Sequence, residues 1–129
     1  MHNNIEKSIS IINKFISLFN KFDIQNLSEI LTDDFEFKNI SHGEVTENTS
    51  TLIEFALILE QSKTLFSKRT VQIQNINVSG AIFDASIICN ATMAISTIDG
   101  LKAGQEISFR GTLTFSIFED KINKVVQIS

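Results

Sequence analysis

The sequence predicts an α+β domain in which helices cover one face of a long, mainly antiparallel sheet. Two segments alternate between apolar and polar side chains, and this period of two indicates strands with one apolar face. The two apolar rows are Phe83, Ala85, Ile87, Cys89, Ala91, Met93 and Ile95, and Ile107, Phe109, Gly111, Leu113, Phe115 and Ile117. Apolar residues in the first half of the chain recur at a helical period, so this half can supply the cover.

The chain begins with a predicted amphipathic helix over residues 5–22. Its apolar residues recur every three or four positions: Ile5, Ile9, Ile12, Phe15 or Ile16, Phe19 and Phe22. A second, shorter helix is predicted to begin at Asp23 and to run to about Thr32. Residues 32–34 are then expected to form a turn.

A short strand and a polar loop follow this turn. Phe35 and Phe37 alternate with charged residues, and Asn39 continues their inward row. Residues 41–50 are polar and include Gly43, so they are predicted to form a loop.

The third predicted helix begins at Thr51, which has the spacing of a capping box with Glu54. Apolar side chains surround much of this helix, so we expect it to be largely buried. They are Leu52, Ile53, Phe55, Ala56, Leu57, Ile58, Leu59 and Phe66.

Four long strands complete the predicted sheet. Residues 69–79 alternate but change phase at residues 75–76, which indicates a β-bulge. The two regular strands are connected through residues 99–104, and Glu119 and Asp120 turn the chain into the last strand. That strand has a predicted apolar row of Ile122, Val126 and Ile128.

Length and composition fit one domain spanning residues 1–129. Eleven Phe with no Trp or Tyr supply apolar volume without a side-chain donor, so we expect an apolar pocket. A net charge of −4 without a basic cluster argues against nucleic acid as a partner. Charged residues interrupt the first helix, which argues against a signal peptide and a membrane span, and we expect a cytoplasmic protein.

Few residues carry a signal for chemistry. We interpret Lys68–Arg69 as a solvated strand entry and the single cysteine, Cys89, as an inert core thiol. His42 is expected near the pocket mouth, with Glu44 and Glu47 close in sequence, but one His without a second spaced ligand is a weak metal or acid–base signal. We expect no metal and no cofactor.

Two segments resemble stretches of the nuclear-transport-factor-2-like superfamily, which includes ketosteroid isomerases and SnoaL-like polyketide cyclases. In residues 19–35, a helix ends, an Asp starts the next helix, and Leu-Thr-Asp-Asp leads into the first strand. In residues 115–122, an aromatic strand turns through an acidic pair into Lys-Ile. The resemblance implies a cone-shaped half-barrel, with three helices in the concave face of a curved sheet around a pocket, and often a dimer through the outer face.

The resemblance also implies where a ketosteroid isomerase would have its catalytic groups. Its carboxylate base and its two oxyanion donors correspond to Asn39, Phe15 and Leu113. Asn39 cannot accept a proton at neutral pH, and the other two side chains have no donor. The usual isomerase site is therefore absent, and we assign no catalytic residue.

Under the predicted phases, one pocket is lined by Phe15, Phe19, Phe37, Asn39, Phe55, Leu59, Met93, Phe109 and Leu113. The leading hypothesis is a SnoaL-like domain that binds an apolar or weakly polar small molecule and lacks the usual ketosteroid isomerase residues. A cyclase, dehydratase or isomerase with an atypical site, using Asn39 and His42, is the second hypothesis. A protein-interaction module is the third. At least two polar groups converging in a closed pocket would favour the enzyme.

We also expect a homodimer through the outer sheet face. The side chains expected there are a mixture of polar, charged and apolar types, which suits a polar-rimmed interface. They are Arg110, Thr112, Thr114, Ser116 and Phe118, with Ile88 and Thr92.

Overall fold

A computed structural model of the protein describes the backbone of residues 2–129 and the side chains of residues 5–129. Its elements are α1 (His2–Asn20), α2 (Ile24–Leu27), β1 (Leu31–Ser41), β2 (Glu44–Thr49), α3 (Leu52–Leu65), β3 (Phe66–Ser79), β4 (Ile82–Met93), β5 (Glu106–Phe118) and β6 (Lys121–Ile128). None of the described helices is long and apolar enough to cross a membrane.

The strands form one curved, open sheet in the order β2–β1–β6–β5–β4–β3. All neighbouring pairs are antiparallel except β1 and β6, which are parallel. Helices α1 and α3 pack on one face of this sheet. The predicted α+β class, with helices on a curved, mainly antiparallel sheet, is confirmed.

Strands β4 and β5 are the regular part of the sheet, and they pair without a register shift. The predicted inward row of β4 is buried from Phe83 to Met93, whereas Ile95 lies beyond the strand and is exposed. In β5, Leu113 and Phe115 are the buried members of the row. The predicted bulge in β3 is confirmed by a register shift between Ile73 and Asn75.

Aromatic rings attach the helices to the sheet. Phe15 of α1 meets Phe115 of β5 edge-on, with 5.4 Å between ring centroids. Phe55 of α3 lies 4.9 Å from Phe35 and 5.3 Å from Phe37. All five side chains are buried. Such pairs add about 0.5–1.5 kcal/mol each beyond the area they bury, so they fix both helices over the concave face.

The two predicted helix starts are confirmed. The Asp23 carboxylate accepts a hydrogen bond from the Asn26 N–H at 3.3 Å, and Thr51 Oγ1 accepts one from the Glu54 N–H at 3.2 Å. The Glu54 carboxylate also accepts a hydrogen bond from the N–H of Ser50 at 3.0 Å. In a capping box this bond normally comes from the N–H of the N-cap residue, here Thr51, so the donor is one residue earlier than usual.

The predicted end of the second helix is wrong. Helix α2 ends at Leu27 and β1 begins at Leu31, so residues 32–34 belong to a strand and not to a turn. The cause is tertiary pairing, because Leu31 lies opposite Ile122 of β6, whose N–H donates to the carbonyl of Ile30 at 2.9 Å. Pairing with β6 thus overrides the local turn signal of the acidic pair.

Helix α3 is less buried than predicted. Phe55 and Leu59 are buried, but Ile53 is 76% and Leu57 61% exposed. Within the described chain, the helix packs against strands on one side only, which leaves the opposite side chains in solvent. The helix also ends before Phe66, which belongs to β3.

The predicted polar loop at residues 41–50 is wrong, because it contains β2. The hairpin turn consists of His42 and Gly43, with φ values of 52° and 80°. Positive φ at both central positions is typical of two-residue hairpin turns, whose twist matches that of the flanking strands. Most side chains of β2 are polar, so the strand has no apolar alternation to reveal it.

The predicted inward row of β6 is also wrong beyond its first residue. Ile122 is buried, whereas Val126 is half-buried and Ile128 is exposed. A register shift between β5 and β6 reverses the phase of the strand, so Val125 is buried in their place and Gln127 follows on the inward row.

Candidate functional site

A cavity of about 210 Å³ lies between the helices and the concave face of the sheet. Most of its lining is apolar: Phe19, Phe37, Phe55, Ile58, Leu59, Leu65, Phe66, Val71, Cys89 and Phe109. Leu65, at the end of α3, is exposed, which places an opening of the cavity there. The volume is below the about 300–1,000 Å³ of drug-sized sites, so the cavity suits a compact ligand rather than a four-ring skeleton.

A wider depression of about 380 Å³ lies on the outer face of the sheet. Lys68, Thr70, Asn90, Thr92, Glu106 and Ser108 are among its lining residues. This depression is a shallow groove between solvated side chains, whereas the inner cavity offers buried apolar walls. We therefore place the candidate site in the inner cavity.

Polar side chains gather at one end of the cavity. Asn39 of β1 lies opposite both Glu47 of β2 and Gln127 of β6 in the strand pairing, and all three line the cavity. We call Glu47, Asn39 and Gln127 the polar row. Across β5 and β4 the same line of paired residues continues with the apolar Leu113 and Ala85. The cavity thus has a polar end on β2, β1 and β6.

Asn39 presents a free acceptor within the polar row. Its Nδ2 donates to Thr46 Oγ1 at 2.8 Å, and the Thr46 hydroxyl donates to the Asn39 backbone carbonyl at 3.3 Å. Its Oδ1 is buried and has no hydrogen-bond partner among the described residues. A buried amide oxygen normally has a partner, so this atom can accept a hydrogen bond from a ligand.

Glu47 is the carboxyl group of the cavity. Partial burial raises the pKa of Glu47 above its ordinary value, because the charged form loses hydration. Among the described residues, no cation lies within ion-pair distance of this carboxylate. A carboxyl with a raised pKa in a cavity is a candidate general acid or base.

Arg69 of β3 is the cation of the cavity. Its guanidinium carbon lies 4.0 Å from the ring centroid of Phe19 and 4.2 Å from that of Phe22. One terminal amino group donates to the Phe19 carbonyl at 2.7 Å. Burial lowers the pKa of Arg69 to about 10, which leaves the group charged at neutral pH. The predicted solvated strand entry is wrong for Arg69, which precedes the inward Val71 by two residues.

Asn20 holds the end of α1 beside Arg69. Its Nδ2 donates to the carbonyl of Val71 at 3.0 Å, and its Oδ1 accepts from the N–H of the same residue at 2.8 Å. This reciprocal pair ties the last turn of α1 to β3. The aromatic residues that flank Arg69 are thereby held at a fixed distance from the strand.

The structure resembles solved proteins over almost its whole length. A SnoaL-like polyketide cyclase from Agrobacterium tumefaciens superimposes with a TM-score of 0.72 at 13% identity, over 93% of this chain and 88% of the other. An LEH-like epoxide hydrolase from M. tuberculosis gives 0.74 at 15% identity, over 95% and 82%. TsrD from Streptomyces laurentii gives 0.76 at 10% identity, over 95% and 87%.

The chain has the SnoaL-like fold. At these identities the likeness establishes the fold alone. It confirms the fold that the resemblance to nuclear-transport-factor-2-like domains implies. No family model and no curated protein matches the chain.

Six predicted lining residues face the cavity of this SnoaL-like fold: Phe19, Phe37, Asn39, Phe55, Leu59 and Phe109. Three others are buried elsewhere. Phe15 packs against Phe115, Leu113 lies in the core between the helices and the sheet, and Met93 pairs with Phe66 at the end of β4. The predicted lining therefore combines residues that face the cavity with residues that belong to the packed core.

His42, predicted at the pocket mouth, is not among the lining residues. It is exposed in the hairpin turn, and its N–H donates to the carbonyl of Ser129 at 3.3 Å. In the part of the chain whose side chains are described, no group of three His, Cys, Asp or Glu could hold a metal ion.

Four polar residues line the cavity that the sequence does not predict there: Glu47, Ser62, Arg69 and Gln127. A signal exists for Arg69, because it shares the phase of Val71 on its strand. No comparable signal exists for Glu47 and Gln127, because Glu47 lies on a strand without apolar alternation and Gln127 follows a bulge. Cys89 also lines the cavity, and burial raises the pKa of its thiol, so it stays protonated at neutral pH.

Proposed function

We propose that this SnoaL-like domain binds a compact small molecule with an apolar body and a carbonyl group, and that Glu47 transfers a proton at the carbon next to that carbonyl. The observation that carries the proposal is the polar row. It places a partly buried carboxyl beside two amide side chains at the end of an otherwise apolar cavity. The reaction class is isomerisation through an enolate.

The chemistry needs only groups of this chain. The Glu47 carboxylate accepts a proton from the α-carbon of the substrate; the C–H electron pair becomes the new carbon–carbon double bond, and the carbonyl π pair moves to oxygen to give an enolate. An amide N–H of Gln127 donates to the enolate oxygen and stabilises the developing charge. The protonated Glu47 then returns the proton to the same or another carbon, which restores the carboxylate.

The raised pKa of Glu47 supports this role. A carboxylate whose proton affinity is increased by burial is a stronger base than one in water. The solved neighbours also include proteins named as a cyclase and an epoxide hydrolase, so the fold supports enzymes that act on small molecules. Fold analogy adds to the argument but does not carry it.

Binding without turnover is the second candidate. It is favoured by the surroundings of Glu47, because burial is what raises its pKa and no hydrogen bond from the described residues fixes its carboxylate for proton transfer. In that case the polar row would select a ligand through its amide groups, and Glu47 would bind as a protonated donor. The experiment below separates this candidate from catalysis.

Exchange of the α-protons of 2-tetralone in D₂O tests the proposal, because this ketone combines an aromatic body with acidic C–H bonds. ¹H NMR measures the loss of the α-proton signal. We expect exchange above the buffer rate with the unaltered protein and a loss of about 100-fold with Glu47→Gln. Glu44→Gln, an exposed change in the same strand, is the control and keeps the rate. Equal rates for the unaltered protein and Glu47→Gln would reject catalysis by Glu47.

We further propose a homodimer through the outer sheet face. Phe118 is 60% exposed at the end of β5, and the neighbouring outward side chains are mainly polar, a mixture typical of polar-rimmed interfaces. Light scattering at micromolar concentration should give twice the chain mass of 14.5 kDa. A mass of one chain over this range would contradict the proposal.

A further inference from the structure

We infer that the ligand carries a carboxylate and that Arg69 binds it at the end of the cavity opposite the polar row. This inference rests on the proposed function, and it names the substrate class as oxo acids with an apolar body. Arg69 comes from β3 and Glu47 from β2, which are the two edge strands of the sheet. Because the sheet is curved, the two edges supply opposite charges to one cavity.

Arg69 is held in place but not neutralised. Phe19 and Phe22 stack on its guanidinium, and one terminal amino group donates to the Phe19 carbonyl. Its Nε is buried and has no hydrogen-bond partner among the described residues. Among those residues, no carboxylate lies within ion-pair distance of the guanidinium either. The unfilled donors of its planar fork match the two oxygens of a carboxylate.

A purely structural role does not account for this arrangement. Stacking between two rings would fix α1 on β3, but Asn20 already ties these elements through two hydrogen bonds to Val71. A partly buried cation without a counter-ion is unfavourable, and a bound anion would remove this cost by pairing with it. The charge persists at neutral pH, because burial lowers the pKa of Arg69 only to about 10.

The position of Arg69 also fits the proposed proton transfer. A carboxylate bound at Arg69 keeps the negative end of the ligand away from Glu47, which must remain free to accept a proton. The body of the ligand then lies along the phenylalanine side chains between the two ends. Its carbonyl group reaches the polar row, so an oxo acid satisfies both ends of the cavity.

The test compares trans-cinnamate with trans-cinnamamide, a pair that has the same shape and differs in charge at pH 7. Chemical-shift titration of the ¹⁵N-labelled protein reports both affinity and whether the cavity residues respond. We expect the unaltered protein to bind cinnamate at least about 10-fold more tightly than cinnamamide, since hydrogen bonds to charged groups are the stronger kind. Arg69→Gln should reduce this preference to about twofold or less.

Two further variants separate charge from position. Arg110→Gln removes an exposed arginine of the outer face and should keep the full preference. Arg69→Lys keeps the charge without the planar fork, so it should bind cinnamate more weakly but still prefer it. If Arg69→Gln fails to fold, the acid–amide comparison on the unaltered protein and on Arg69→Lys decides the question.

The outcomes distinguish this inference from the proposed function. Equal affinity for the two probes, or a preference that survives in Arg69→Gln, would overturn the role of Arg69 alone. A preference for the acid, together with a tetralone exchange rate that is the same in Glu47→Gln as in the unaltered protein, would reject catalysis by Glu47 but support the anion site at Arg69. No response of the cavity residues to either probe would overturn the role of Arg69, and proton exchange of 2-tetralone then decides the proposed function on its own.

Discussion

The central pair β4–β5 and the hairpin β1–β2 differ in what they contribute: the first forms the regular core of the sheet, and the second provides polar side chains to the cavity. The central strands pair without a shift, and their inward side chains are apolar and largely buried. The hairpin has a register shift after Asn39, and its second strand is mostly polar, yet it provides Asn39 and Glu47 to the cavity. Apolar alternation thus identifies the strands that hold the fold, whereas the candidate site lies where that alternation stops.

The largest expected effect is on the central pair. Phe115→Ala should lower the free energy of unfolding by about 3–5 kcal/mol, because it removes a fully buried ring that meets Phe15 edge-on. Ser108→Ala in the same strand should change it by about 0.5 kcal/mol or less, since that side chain is exposed. Urea unfolding measures both. Similar losses for the two variants would show that β5 does not divide into a buried and an exposed face as described.

A smaller loss of stability is expected from a change at Gly111, where β5 and β6 approach closely. A Cβ at this position would lie 2.6 Å from the carbonyl oxygen of Ile128, so the backbone of β6 must move. Gly111→Ala should cost about 1–3 kcal/mol, the usual range for overpacking. Ser108→Ala, an exposed change in the same strand, is the control. An unchanged midpoint for Gly111→Ala in urea would contradict the close approach.

Replacing Glu47 should raise the free energy of unfolding at neutral pH, whereas the two changes above lower it. Its raised pKa means that the folded state favours the protonated form, so stability falls as pH rises from the ordinary value of 4.5 through the raised value. Glu47→Gln removes this loss and should be the more stable protein at pH 7, with little difference from the unaltered protein at pH 4. Thermal unfolding at both pH values measures the change. A difference that is larger at pH 4 would contradict burial of this carboxyl.

The smallest expected effect is on ketosteroid isomerisation. Asn39→Asp should show no turnover of a steroid enone precursor, because Phe15 and Leu113 are buried in the core and supply no donor to the cavity. The limited cavity volume gives a second reason. Ultraviolet absorbance of the conjugated enone measures the reaction. Turnover above the buffer rate would show that the cavity accommodates a steroid and that the reaction does not need donors at positions 15 and 113.

The sequence predicts the fold well because most of its elements bury an apolar row. Phe83 to Met93 and the start of α3 at Thr51 follow directly from residue type and spacing. The candidate site is harder to predict from the sequence, because Glu47 lies on a polar strand and Gln127 follows a bulge that reverses the phase of its strand. Both depend on pairing with neighbouring strands, which local patterns do not contain.

Proton transfer in the cavity requires a Glu47 carboxyl whose pKa is raised by burial. Its pKa can be measured from the ¹³C shift of the side-chain carboxyl during a pH titration of the labelled protein, with Glu47→Gln identifying the signal. We expect a pKa above 4.5, because the cavity wall removes water from the charged form. A pKa at or below 4.5 would mean that Glu47 is fully hydrated or ion-paired, and it would contradict a carboxyl held in the cavity as a base.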